Sequence, residues 1–315
     1  MCAVFGLIDY GHILTTKAKE KILKVLSKEC EVRGTDATGF AYNTKDGLNI
    51  YKRPLPAHKM KLHLPEGTDV IMGHTRMTTQ GSEKNNNNNH PFYGDLGDST
   101  FALAHNGILR NDLKLRAERS LPMTEIETDS YIAVQLLESI GALDFKALKS
   151  VAEDLVGSFV LTVLDDRNNM YFVVGDNPLT IYNFPDYGFY LYASTTSILK
   201  STIKHIGLSK ANKSEIGADT GDLIRISYDG EVDRSEFECY GRYGTYGYYD
   251  FLLEDIDFGD MGLDEIKGFA EELGIDGETI EYLYLSGYPL EYLEELLNYP
   301  DELIYEAEMI RDGCW

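Results

Sequence analysis

Basic side chains are scarce in this sequence: 29 Lys and Arg stand against 52 Asp and Glu, a net charge of −23. That deficit argues against a surface built to grip nucleic-acid phosphates. Long apolar runs are also missing. None approaches the roughly 20 residues of a membrane span, so no membrane segment is expected. The opening MCAVFGLIDYGH has no basic n-region and soon turns polar, unlike a secretory signal. Cysteine occurs only at positions 2, 30, 239 and 314, with no CxxC pair and no disulfide framework. There is no internal repeat with a period of roughly 20–50 residues. A cytoplasmic protein with reduced thiols is the expectation. What is present is ample: 315 residues, 43% of them apolar, suffice for one large folded domain with a small appendage.

The negative charge is unevenly placed. Residues 250–315 hold 20 acidic and 2 basic side chains, a net of −18, whereas residues 1–249 hold 32 and 27, a net of −5. The change coincides with Tyr240-Gly-Arg-Tyr-Gly-Thr-Tyr-Gly-Tyr-Tyr249, which has neither a helical nor a strand period. Three segments are therefore expected: a body over 1–240, a Tyr/Gly-rich linker over 241–250 and an acidic module over 251–315.

Within the body, apolar runs predict strands over 3–8, 39–42, 48–51, 70–73, 101–105, 158–164, 170–174, 180–183, 189–193 and 223–228. Helical spacing predicts helices over 16–30, 128–140 and 145–155, the first with Thr15 or Thr16 as its N-cap. Strands grouped apart from helices favour stacked sheets flanked by helices over a regular βαβ alternation. Asn85 to Asn89 is of low complexity and reads as a flexible loop tip. In the acidic module, Leu263, Ile266, Phe269, Ala270 and Leu273 open a series of three or four short amphipathic helices. They make a small bundle or clasp.

Cys2 is the residue with the most chemistry to offer. Were Met1 removed, one residue would carry both a thiol and a free α-amine. A free Cys titrates at about 8.5 and an α-amine at about 7.7–8.0, so part of that amine is neutral near pH 7 and can act as general base. Taken alone, Cys2 reads first as a chance cysteine at the start of a buried strand. Its companions weigh against chance. They are Arg33-Gly-Thr-Asp-Ala-Thr-Gly39, Gly73-His-Thr-Arg-Met-Thr-Thr-Gln-Gly81, Asn89-His-Pro-Phe92, Ala104-His-Asn-Gly-Ile108 and Thr128-Asp-Ser-Tyr131.

With the opening Met-Cys-Ala-Val-Phe-Gly, these motifs in this order resemble the class II glutamine amidotransferases, the N-terminal-nucleophile glutaminases. The match covers residues 1 to about 140. A weaker echo at Gly157-Ser-Phe159, Asp176-Asn-Pro-Leu179 and Ala193-Ser-Thr195 carries it towards 230. The resemblance implies an α+β fold, the four-layer αββα Ntn-hydrolase sandwich of two mainly antiparallel sheets, here with a small all-α C-terminal appendage. It also implies roles. Cys2 attacks the glutamine side-chain carbonyl and forms a thioester, while Asn106 and the backbone N–H of Gly107 form the oxyanion hole. Arg76 binds the substrate α-carboxylate, Asp129 its α-ammonium, and Thr79 lines the pocket. Arg33 and Gly34 form a turn beside the nucleophile, and His90 positions a loop over the site.

Other readings of single residues stay open. Asn106-Gly107 is also a strong hairpin-turn signal, and Asp129 a favourable helix-start carboxylate. His74, His90 and His105 match no standard zinc spacing, so no metal is expected; nor is any cofactor. Met77 and Gln80 stand where many relatives have Trp and His, and Glu83 to Asn89 looks long for a lid. After residue 240 there is no phosphate loop, no GxGxxG turn and no sugar isomerase or phosphoribosyl pattern. The expected function is hydrolysis of L-glutamine to glutamate and ammonia, the ammonia passing to a separate synthase subunit. The acidic tail would be a solvated helix surface, would dock a basic partner, or would be a decoy surface mimicking nucleic acid. Two alternatives remain: an N-terminal-Cys hydrolase of a non-glutamine amide, and an inactive scaffold that binds through its tail.

Overall fold

The apolar run that opens the chain forms β1 (Ala3–Ile8), with all six residues buried. Both of its faces are covered. Ala3, Phe5 and Leu7 pack in a core with helical residues, and Val4 and Ile8 pack against the other sheet, so the run is continuous rather than alternating. A computed structural model describes residues 2–239, 262–272 and 275–285, with Leu290, Leu293, Leu297 and Leu303. The chain divides into two units, Met1–Thr245 and Tyr246–Trp315.

In the first unit β1 lies centrally in a seven-stranded sheet. The order is β11 (Ser214–Ile216), β9 (Thr180–Phe184), β10 (Phe189–Ala193), β1, β4 (Val70–Arg76), β2 (Ala37–Thr44), β3 (Gly47–Arg53). The second sheet runs β13 (Val232–Glu236), β12 (Asp222–Ile226), β8 (Met170–Val174), β7 (Gly157–Asp165), β6 (Thr100–Leu109), β5 (Phe92–Asp95). Pairings in both sheets are antiparallel. Helices α1 (Thr16–Glu29) and α5 (Thr196–His205) cover the outer face of the first sheet. On the second, α3 (Tyr131–Ile140) and α4 (Phe145–Asp154) do the same, and the short α2 (Asp112–Glu118) precedes them. A third core, including Val4, Met72, Ala104, Val160 and Phe172, lies between the sheets. The architecture is the α+β, four-layer αββα sandwich that the resemblance implied.

Thr15 is the N-cap of α1, its hydroxyl accepting from the Ala18 amide at 3.3 Å. Five elements lie outside the sequence reading: β5, β11, β13, α2 and α5. Three are short or polar edge strands. α5 is capped by Thr195, which the sequence shows only as the end of a motif. Thr128 to Ser130 form the turn leading into α3 rather than its first residues.

The second unit has α6 (Leu263–Glu272) and α7 (Gly277–Leu285). Ile266, Ala270, Ile280 and Leu283 cluster with Leu293, Leu297 and Leu303, and Lys267 pairs with Glu281. The expected linker at 241–250 and Leu273 lie outside the described residues.

Candidate active site

β1 and β4 run antiparallel with Ala3 opposite Thr75, which sets Cys2 and Arg76 next to each other where the two strands end. The Cys2 Sγ lies 3.5 Å from the Met77 carbonyl oxygen. Burial pushes the thiol pKa up, and the charge of Arg76 acts against that rise. A turn after α1 then delivers Arg33. Its Nε donates to the Cys2 carbonyl at 2.6 Å and its Nη2 to Asn106 Oδ1 at 3.4 Å. Gly34 lies flat on the end of β4. A Cβ there would come within 2.4 Å of the Arg76 carbonyl carbon, so the approach requires glycine.

Asn106 and Gly107 arrive from the second sheet, inside β6 and paired with Val160 and Phe159 of β7. The hairpin-turn reading of Asn-Gly therefore fails: the pair lies within a ten-residue strand. Gly107 has φ +146°, and a Cβ on it would fall 1.8 Å from the Ser158 carbonyl oxygen. Asn106 is buried, and Asn177 Nδ2 donates to its backbone carbonyl at 3.3 Å. With its Oδ1 on Arg33, the Asn106 Nδ2 has no hydrogen-bond partner among the described residues.

Arg76 is buried yet forms no ion pair among the described residues. Its Nη1 donates to Asn89 Oδ1 at 2.8 Å, and its Nη2 to the carbonyls of Gln80 at 2.5 Å and Gly81 at 2.9 Å. Asp129 is also buried. One oxygen accepts the Leu109 amide at 2.6 Å and the other the Ser130 hydroxyl at 3.2 Å. Its charge is felt at both Cys2 and Arg76. Thr79 is exposed on the segment after β4, while the neighbouring Thr78 amide donates to Asp36 Oδ2 at 2.8 Å.

His90 precedes Pro91 and is buried. Its ring packs 4.2 Å from that of His74 and 4.3 Å from that of Phe92, and neither of its nitrogens has a hydrogen-bond partner among the described residues. Burial holds His90 well below the usual histidine range and pushes His74 down to about 3, even though His74 Nε2 donates to the His105 carbonyl at 3.0 Å. His74 and His90 are thus a pair of packed neutral rings on which the charge of Arg76 also acts.

Two residues of this neighbourhood escape a sequence reading. Asn88 and Asn89 are fully buried, so the asparagine run is not a flexible tip. Asn88 Nδ2 donates to Glu127 Oε2 at 2.7 Å and its Oδ1 accepts the Glu127 amide at 3.0 Å, tying this run to the segment that carries Asp129. Those partners lie 39 residues away, beyond any local pattern.

A family model for the glutamine amidotransferase domain matches residues 74–201. The glutamine–fructose-6-phosphate aminotransferase (isomerizing) of Staphylococcus epidermidis is 32% identical over 272 residues, covering 81% of this chain and 43% of that protein. Its Staphylococcus aureus counterpart is 31% identical over 275 residues with the same coverage. Thus the chain spans less than half the length of these relatives. Among solved structures, the glutamine phosphoribosylpyrophosphate amidotransferase of B. subtilis, complexed with ADP and GMP, superposes with a TM-score of 0.59 at 19% identity. The superposition covers 75% of this chain and 49% of that one, and it speaks for the fold.

Proposed function

We propose that this chain, which belongs to the class II glutamine amidotransferase family, hydrolyses the side-chain amide of L-glutamine with Cys2 as nucleophile. In this reading Met1 is removed, and the freed α-amine takes the thiol proton directly or through one water. The sulfur bonds to the amide carbon, and the carbonyl electron pair moves onto oxygen. Asn106 Nδ2 and the Gly107 N–H receive that oxyanion. Collapse breaks the C–N bond, the nitrogen leaves as ammonia with the proton returned from the amine, and a thioester remains. Water then adds to the thioester, the thiol departs with its proton, and glutamate is released.

Arg76 takes the α-carboxylate and Asp129 the α-ammonium, matching the two ends of an amino acid. Thr79 lines the pocket, Arg33 and Gly34 support the nucleophile, and His90 anchors the loop. Residues 1–240 carry this chemistry. The acidic module over 251–315, joined through 241–250, docks a basic partner such as the enzyme that consumes the ammonia.

The observation that carries the reading is the Asn106 amide. Arg33 fixes its oxygen while also holding the Cys2 carbonyl, and its nitrogen is a buried donor left unfilled. Such a donor costs about 1–3 kcal/mol in a folded protein, which a transition-state contact explains. The test is labelling with 6-diazo-5-oxo-norleucine, followed by peptide mapping and intact mass. Modification of Cys2 on a chain lacking Met1 is expected, with glutamate released from glutamine in parallel. Labelling elsewhere, or an active chain that keeps Met1, refutes the mechanism.

A further inference from the structure

Among the described residues the buried cation of the site is held by neutral oxygens alone. Arg76 gives one N–H to Asn89 Oδ1 at 2.8 Å and two to the carbonyls of Gln80 and Gly81. That leaves two of its five N–H donors for a ligand. None of the nearby carboxylates bonds to it among the described residues: Asp36 accepts the Thr78 amide, Asp129 accepts from Leu109 and Ser130, and Glu83 acts on Arg76 through its charge alone. Asn89 is the only side chain holding Arg76 among the described residues, and its own geometry is fixed on every side. Its Nδ2 donates to the Glu83 carbonyl at 2.8 Å and to Asn86 Oδ1 at 3.2 Å, which turns Oδ1 towards Arg76. Its backbone carbonyl accepts from Lys52 Nζ at 2.5 Å, and Lys52 also reaches the Pro91 carbonyl at 3.0 Å. Burial, with the charge of Arg76 added, pushes Lys52 down to about 8.

An amide in this place orients the guanidinium without neutralising it. A carboxylate of the same shape would form a buried ion pair with Arg76 and use up the charge. We propose that Asn89 is a positioning residue that keeps Arg76 oriented and electrically unpaired, so that the site selects amides carrying a carboxylate. This rests on the glutaminase reading above.

The test compares Asn89→Asp and Asn89→Ala with the parent and with Arg76→Ala. Glutamine affinity is measured by titration in a Cys2→Ala background, KM and kcat in the active chain, and melting temperature throughout. Both Asn89 variants lose the Nδ2 bonds, but only Asp gains a pairing with Arg76. Asn89→Asp should therefore melt no lower than Asn89→Ala and yet bind glutamine more weakly. Its KM should rise about tenfold or more, equivalent to about 1.4 kcal/mol, with kcat within about twofold. A purely structural residue would give the opposite order, the less stable variant binding worse. Asn89→Asp binding as well as Asn89→Ala or the parent overturns the proposal. If the parent releases no glutamate, or Arg76→Ala leaves KM unchanged, it is the functional reading that fails.

Discussion

Where β1 and β4 run past Ile8 and Val70, Asp9 and Asp69 close on Lys19; at their other ends Cys2 and Arg76 lie side by side. Both places bury a cation between the same two strands. Lys19 donates to Asp9 at 2.9 Å, to Asp69, and to the Thr68 carbonyl at 2.9 Å, which fills its three donors. Asp69 in turn accepts from Tyr228 at 3.1 Å and lies 2.9 Å from His12 Nδ1. Arg76 has no carboxylate paired with it among the described residues, two donors unfilled, and the unpartnered Asn106 amide close by. A buried cation whose donors are all taken by protein groups is a clasp, even though Asp9 Oδ1 beside it has no hydrogen-bond partner among the described residues. One left unsaturated, at the cost of stability, is prepared for something from outside.

The largest expected effect falls at the saturated end and is on stability alone. Lys19→Met leaves two buried carboxylates without a cation, a change that costs about 3–5 kcal/mol. Urea or thermal denaturation should show that loss, while glutamate release measured well below the melting point stays at the parent rate. A drop in kcat/KM at full folding would break the comparison, because the clasp would then belong to the site. Asn106→Ala tests the other end in mirror image. Removing one oxyanion donor lowers kcat by about 10²–10³, or about 2.7–4 kcal/mol of barrier. Its effect on stability should be small, because removing the unpartnered buried nitrogen offsets the loss of the 3.4 Å bond from Arg33 to the oxygen. An Asn106→Ala chain that keeps its kcat but melts early would make this residue structural.

The two ends were unequally legible in the sequence. Continuous apolar runs mark β1, β8 and β10 because those strands are buried on both faces, and their limits agree with the structure. Cys2, Arg76, Asn106 and Asp129 stood out through the ordered motifs that resemble the family, and the fold brings them to one place. The Lys19 clasp was not seen, since Asp9, Lys19 and Asp69 are ordinary charged residues until β1 and β4 pair. The asparagine run was misread for a related reason. Its composition is that of a loop, but Lys52, Glu127 and Arg76 saturate it from three other segments. The open hairpin alternative at Asn106-Gly107 falls for a similar reason: the β6–β7 ladder overrules the local turn signal, and the glycine is needed for room beside Ser158.

The smallest effect concerns the histidines His74 and His90 and sharpens the comparison through pH. His12 at the clasp faces the Asp69 carboxylate, whereas His90 faces the rings of His74 and Phe92. Burial depresses His90 well below its ordinary value and His74 to about 3. In the unfolded chain such residues take a proton near about 6.5. Between that pH and the lower folded value the unfolded state binds more protons, so stability is whole at pH 7 and above and drains as pH falls from about 6.5 towards 3. His90→Phe removes one group that must stay neutral and puts an apolar ring of similar size among the same neighbours. Its melting temperature at pH 7 should stay within about 4 °C of the parent. Its fall between pH 7 and pH 5 should be smaller than the parent's. Equal falls in both chains would mean that His90 accepts its proton in the folded state as readily as in the unfolded one. The His90 ring would then be as well compensated as the charges at the clasp, and the contrast between the two ends would shrink to Arg76 and Asn106 alone.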